Sequence, residues 1–229
     1  MKILVLDGPS YGRAIEGLGH IICDEREFIK DPGSFDLVLF TGGEDVSPEL
    51  YGDTSPEHYC HNNIYRDMKE IRIFKIAQQH EVRMTGICRG SQFLNVMCGG
   101  RMIHDVNNHG HSAGHLMYTN RFPEPIKVNT LHHQMSVLGK GGLLIGWAEG
   151  VSGRYLGWAD KPEEWVGGET EAFIYPEHNV CGVQYHPEMM PPNTDGFKFY
   201  HRLIEEFLDL SMDDLIKLYG ARTKIANAE

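Results

Sequence analysis

The chain has 229 residues, 41% hydrophobic and 23% charged, enough to bury a core and stay soluble as one α/β domain over 1–229. Its formal net charge of -11 argues against nucleic acid and anionic membranes as partners. Five cysteines, an odd number with no Cys-x-x-Cys pair, point to reduced thiols in a cytoplasmic setting and against a disulfide framework.

Ile3–Leu6 reads as a buried first strand, too short for a signal peptide, and no apolar run is long enough to span a bilayer. A loop over Asp7–Gly12 follows, then a short helix through Arg13–Leu18. Phe35–Phe40 is nearly continuous in apolar residues and reads as a central strand ending at Thr41-Gly42-Gly43. Asn63 to His80 predicts a helix whose apolar stripe is Ile64, Met68, Ile71, Ile73, Phe74 and Ile76. Glu81–Thr85 predicts the next strand, which completes a βαβ unit. Apolar Phe93, Leu94, Val96 and Met97 recur at helical spacing over Ser91–Met97. Near the C-terminus, Asp195–Leu210 reads as a long helix, and Ser211 to Asp214 resembles a capping box for a short last one.

Thr85-Gly86-Ile87-Cys88-Arg89-Gly90-Ser91-Gln92 sits at the junction of a strand and a helix. Small residues on both sides of Cys88 allow a tight turn that lifts the thiol over the sheet edge, and the helix N-terminus behind it favours a thiolate. The alternative is a small buried core thiol. Gly182-Val183-Gln184-Tyr185-His186-Pro187-Glu188 weighs toward chemistry. Pro187 stops a strand, leaving His186 and Glu188 at its carboxyl end. A thiol nucleophile needs a base, and the base needs a carboxylate to fix its tautomer. Cys88, His186 and Glu188 supply that set. Gly42-Gly43 falls on the same carboxyl edge of the sheet, where doubly wound folds place their ligands.

Five segments, in order over roughly residues 37–188, resemble the γ-glutamyl-γ-aminobutyrate hydrolase group of the class I glutamine amidotransferase-like superfamily. They are Thr41–Gly52, Arg66–Glu70, Gly86–Gly100, Asn129–Gln134 and Gly182–Glu188. The resemblance implies a flavodoxin-like, doubly wound, mostly parallel sheet flanked by helices. It also implies cleavage of a γ-glutamyl amide through a γ-glutamyl thioester on Cys88. The backbone N–H groups of Gly43 and Arg89 then become the oxyanion donors. Gln92, one helical turn beyond Cys88, is expected at the substrate amide. Asn129, His132 and His133 are expected at the α-amino and α-carboxylate end, with at most one of the adjacent histidines facing the pocket.

The chain departs from the group in three places. Thr41 stands where a proline is usual, which predicts a less rigid oxyanion loop. Gly167-Gly168-Glu169-Thr170 precedes Glu171-Ala172 in place of an Asp-Gly. Residues 151–168 read as an insertion whose Tyr155, Trp158 and Trp165 form either an aromatic lid or packing anchors. His104, His109, His111 and His115 match no zinc motif and read as a solvated loop, so no metal and no cofactor is expected. The expected partner is a small γ-glutamyl substrate. A glutaminase subunit serving a synthetase, a homodimer, and a non-catalytic module on the same fold remain the alternatives.

Overall fold

The computed structural model describes residues 1–54, 59–110 and 113–220. In chain order the elements are β1 (Lys2–Val5), β2 (His20–Ile22), α1 (Glu25–Lys30), β3 (Leu37–Phe40), α2 (Ile64–Gln79), β4 (Arg83–Ile87) and α3 (Arg89–Met97). Then come β5 (Arg101–Ile103), β6 (Asp105–Val106), β7 (His115–Met117), β8 (Ile126–Val128), β9 (Met135–Val137) and β10 (Leu143–Ala148). The chain continues through β11 (Tyr155–Leu156), β12 (Glu169–Tyr175), β13 (Val180–Val183), α4 (Asp195–Asp209) and α5 (Met212–Tyr219). Pro9–Ile15 is a 3-10 turn, displaced from the short helix expected at 13–18. No helix of the described residues is long and apolar enough to cross a membrane.

Seven strands form one sheet in the order β10-β12-β13-β4-β3-β1-β2. β2, β1, β3, β4 and β13 run parallel, and β12 and β10 close one edge antiparallel. This is the expected α/β fold, with an antiparallel edge beyond it. β3 is apolar throughout because both its faces are covered. Its residues alternate: Leu37 and Leu39 pack with Ile3, Val5 and α4 residues Phe199, Leu203 and Phe207, while Val38 and Phe40 pack with Leu4, Phe74 and Phe93 of the opposite layer. Each such side chain contributes about 1.5–3 kcal/mol when fully buried. Ser211 caps α5 by accepting from the Asp214 amide, and Asn63 caps α2 by accepting from that of Arg66.

α2 corrects the apolar stripe read from its sequence. Ile64 and Met68 are 43% and 63% exposed, whereas Asp67 and Glu70 are fully buried beside Ile73, Phe74 and Ala77. Two carboxylates lie on the inner face because Arg89 of α3 pairs with both of them. Arg66 closes the group against Glu70 at 2.9 Å. Two cations thus meet two anions, the kind of pairing that allows charges to go fully inside.

Candidate active site

β4 enters the elbow and α3 leaves it. Cys88, at the junction, has φ 52° and ψ -114°, a backbone conformation costly for a non-glycine residue. The flanking glycines make the turn fit. A Cβ on Gly86 would penetrate the backbone of Gly90 and Ser91, and a Cβ on Gly90 would penetrate the Phe40 carbonyl of β3. The Cys88 carbonyl anchors the start of the helix, accepting from the amides of Ser91 (3.0 Å) and Gln92 (3.1 Å). The Cys88 amide donates to Val183 O at 2.9 Å, tying the elbow to β13.

β13 ends at Val183, three residues before His186, and Pro187–Met189 then turn as a short 3-10 segment. His186 Nδ1 lies 2.7 Å from Glu188 Oε1, and the Cys88 thiol is near enough to act on the charge of the imidazole. All three residues are 7% exposed. Burial opposes charge on His186, but the hydrogen bonds from Cys88 and Glu188 outweigh it and raise its pKa to about 10. Burial pushes the thiols of Cys60 and Cys181 up to about 12 and raises that of Cys98 as well.

Thr41-Gly42-Gly43 is held firmly, contrary to the looser loop expected from the missing proline. Thr41 Oγ1 donates to Leu6 O at 2.7 Å. Arg66 Nη2 donates to Thr41 O and to Gly42 O, each at 2.9 Å. Because the peptide is trans, the Gly43 N–H faces away from the Arg66-bound Gly42 carbonyl. Among the described residues neither the Gly43 nor the Arg89 amide has an acceptor. The Arg89 side chain points the other way, into the ion cluster of α2. Ser47 extends that cluster by donating its amide to Asp67 at 3.1 Å, which fixes the far end of the loop.

The remaining sequence candidates divide. Gln92 is buried, with its Nε2 donating to Gln134 O and Gln184 Oε1, each at 3.2 Å. Asn129 grips the main chain of His186: its Nδ2 donates to His186 O and its Oδ1 accepts from His186 N, both at 2.8 Å. That side chain is occupied in positioning the histidine. His132 and His133 do point apart. His132 is buried with Nδ1 2.9 Å from Gln134 O. His133 reaches outward to Asp45 Oδ1 at 3.2 Å, and that hydrogen bond raises its pKa.

Other expectations are revised. His104 and His109 are buried, not part of a solvated loop; His111 lies outside the described residues. In 151–168, Tyr155 and Trp165 pack against Ile103, Val106, Met135 and Val137, and β11 pairs with β6. These two aromatics are packing anchors, and of the three only Trp158 stays open, at 53% exposure. Sequence reasoning missed Tyr11, whose ring centroid is 6.2 Å from that of His186. Burial, then the charges of Glu188 and Cys88, push Tyr11 up to about 12. Its signal was its place in the loop after β1, on the same sheet edge as Cys88.

A family model described as Peptidase C26 matches residues 24–188. The protein YvdE of Lactococcus lactis, named as glutamine amidotransferase-like, is 30% identical over 203 residues, covering 78% of this chain and 79% of that protein. NtpR of Enterococcus hirae is 27% identical over 193 residues, covering 75% of each. Among solved structures, a glutamine amidotransferase of Thermotoga maritima superposes with TM-score 0.56 at 17% identity, covering 96% of this chain and 94% of that one. A GMP synthase subunit protein of Thermoplasma acidophilum gives TM-score 0.54, again at 17% identity, over 91% and 92% of the two chains.

Proposed function

The chain belongs to the Peptidase C26 family, within the class I glutamine amidotransferase-like superfamily, and from this premise we propose that it hydrolyses γ-glutamyl amides through Cys88. The observation that carries the reading is His186 held at Nδ1 by Glu188 at 2.7 Å, with the Cys88 thiol near enough to raise the pKa of the imidazole. With Nδ1 committed to Glu188, Nε2 is the nitrogen that exchanges a proton with sulfur. The Cys88 thiolate attacks the γ-carbonyl carbon, forming a C–S bond while the carbonyl electrons move to oxygen. The Gly43 and Arg89 amides receive that oxyanion. As it collapses, the C–N bond breaks and the His186 imidazolium gives its proton to the departing amine. Water then attacks the thioester and loses a proton to His186. The C–S bond breaks, releasing a γ-carboxylate and restoring the pair. Asn129 keeps His186 in register by holding its main chain.

The test uses a glutamine-like diazo-ketone and a panel of glutamine, γ-glutamyl-aminobutyrate and γ-glutamyl-polyamines. One label should appear, on Cys88, and Cys88→Ala should lower kcat/KM by about 10⁴-fold or more. Turnover surviving that substitution, or labelling at Cys98 or Cys181, refutes the reading. A second reading, a glutaminase that passes ammonia to a synthetase, is favoured by the exposed apolar side chains at the N-terminal end of α2, where Tyr65 is 82% and Met68 63% exposed. It requires glutamine turnover to be low in the isolated chain and to rise when a partner covers those side chains.

A further inference from the structure

Behind the catalytic edge, four side chains from four separate segments converge. His109 follows β6, His115 opens β7, His132 lies between β8 and β9, and Glu171 stands on β12. Glu171 Oε1 is 2.8 Å from His115 Nε2, 3.9 Å from His109 Nδ1 and 4.0 Å from His132 Nε2. Ring centroids of His109 are 5.0 Å from His115 and 4.4 Å from His132. His109 and Glu171 are each 1% exposed and His132 is 7%, while the His115 side chain is 8% exposed.

The hydrogen bonding of this group is incomplete in a particular way. Among the described residues, neither carboxylate oxygen of Glu171 has a hydrogen-bond partner, and neither do His132 Nε2 and His115 Nε2. His115 Nε2 is close to Glu171 but not aligned for an N–H···O bond. A buried carboxylate without donors costs several kcal/mol unless something else neutralises it. Two of the three outer nitrogens are served, those of His109 and His132, while His115 Nδ1 has no partner among the described residues. His132 Nδ1 lies 2.9 Å from the Gln134 carbonyl, which can only accept, so Nδ1 carries the proton and Nε2 is bare. His109 Nε2 lies 2.7 Å from Glu169 Oε2, which fixes the orientation of the ring. The hydrogen-bond neighbour of its Nδ1, Thr130 Oγ1 at 3.3 Å, gives its own proton to the His109 carbonyl and so can only accept from Nδ1; a cation at Nδ1 would take the place of that proton. Histidines whose far nitrogen is fixed by a carboxylate or carbonyl, with the near lone pair turned inward, are the arrangement that metal ligands require.

We propose that His109 Nδ1, His115 Nε2, His132 Nε2 and Glu171 Oε1 form a binding site for a single divalent transition cation of the zinc class. Three imidazoles and one carboxylate suit tetrahedral zinc, whose metal–ligand distances of about 2.0–2.2 Å set donors about 3.3–3.5 Å apart. The candidate atoms of His109, His115 and Glu171 lie within 4.8 Å of one another, so shifts below about 1 Å bring these three to ligand spacing, and His132 Nε2, 4.0 Å from Glu171 Oε1, turns in as the fourth. This reverses the expectation of no metal, which rested on the absence of a short local motif. The ligand set is spread over residues 109 to 171 and no helix supplies a pair. All four protein donors are used, so the cation is a brace and not a Lewis acid for the reaction. It ties the segment that carries Asn129, three residues before His132, to β12, and so supports the grip on His186.

The inference stands apart from the reading of Cys88, and its test removes that thiol to exclude zinc bound there. Chelator-treated full-length Cys88→Ala protein is titrated with Zn²⁺ alone. One equivalent should bind and raise Tm, and Co²⁺ in its place should give the intense visible absorption of a tetrahedral centre. X-ray absorption of the zinc form should show three imidazoles and one carboxylate at about 2.0–2.2 Å. His115→Ala and Glu171→Gln should each weaken binding by about 100-fold or more, and His115→Cys should restore it with a sulfur-to-Co²⁺ charge-transfer band. Surface His201→Ala should change nothing. Bound zinc far below one equivalent in the Cys88→Ala protein overturns the proposal. So does an absorption shell with fewer than two imidazoles, a measurement that needs no variant of the cluster to fold.

Discussion

The proposed nucleophile and its proposed base are built in opposite ways. Cys88 is positioned by one continuous strand–turn–helix, Arg83 to Met97, and by two glycines without which the backbones collide. His186 is positioned from a distance: Asn129 is 57 residues away in sequence, and its two hydrogen bonds reach the histidine from the loop after β8. The first arrangement is steric, with little room for adjustment. The second is polar, made of single bonds worth about 0.5–1.5 kcal/mol each. The nucleophile side should therefore fail abruptly when altered and the base side by degrees.

Gly90→Ala is the strongest way to break this contrast. The added methyl would lie against the Phe40 carbonyl, which β3 holds on both sides and cannot move aside. Overpacking of that kind costs about 3 kcal/mol or more, and Cys88 labelling should fall with it. Gly33→Ala, with nothing within 4 Å of its new Cβ and no positive φ, should stay within about 0.5 kcal/mol of the parent. Chemical denaturation of both variants makes the comparison. Equal stability would mean that the elbow has slack the packing does not display.

Asn129→Ala comes next. It removes both hydrogen bonds to the His186 main chain while leaving Cys88, His186 and Glu188 in place. The expected loss is about 1–3 kcal/mol in stability, with kcat falling about 10- to 100-fold and KM nearly unchanged. Electrophile labelling of Cys88 should persist. A rise in KM with kcat preserved would instead assign Asn129 to the substrate, as its sequence context suggested.

The same contrast explains what could be read in advance. The elbow is local, so Gly86, Cys88 and Gly90 announced it, as did the β3–α2–β4 unit around it. His186 and Glu188 were legible because Pro187 marks where a strand must stop. The interior of α2 was not. Asp67 and Glu70 are buried only because Arg89, about 20 residues on, meets them there, and hydropathy assigns such residues outward. The histidine cluster failed for the same reason: His109, His132 and Glu171 acquire meaning only when β12 closes the antiparallel edge. Thr41 shows a third case. Its rigidity comes from Arg66 and Leu6 O, partners that no local pattern names.

The finest test concerns the proton that links the two sides. His186 is raised from 6.5 to about 10 against the opposing effect of burial, by its bonds to Cys88 and Glu188. A pKa raised on folding means that the stabilisation is present in full below pH 6.5 and is lost as pH rises through about 10. The stability gap between the wild type and His186→Asn should therefore narrow steadily from about pH 7 to about pH 10. Activity should follow the same proton, since in the proposed reaction the imidazolium protonates the leaving amine. On an amide substrate kcat/KM should decline above about pH 10. Glu188→Gln keeps a hydrogen-bond acceptor but removes the charge, so it should draw this alkaline limb down by about one pH unit, or about 1.4 kcal/mol. It should do so without abolishing turnover. A limb that stays in place in Glu188→Gln would show that Cys88 alone holds the proton on His186, and that Glu188 only orients the ring.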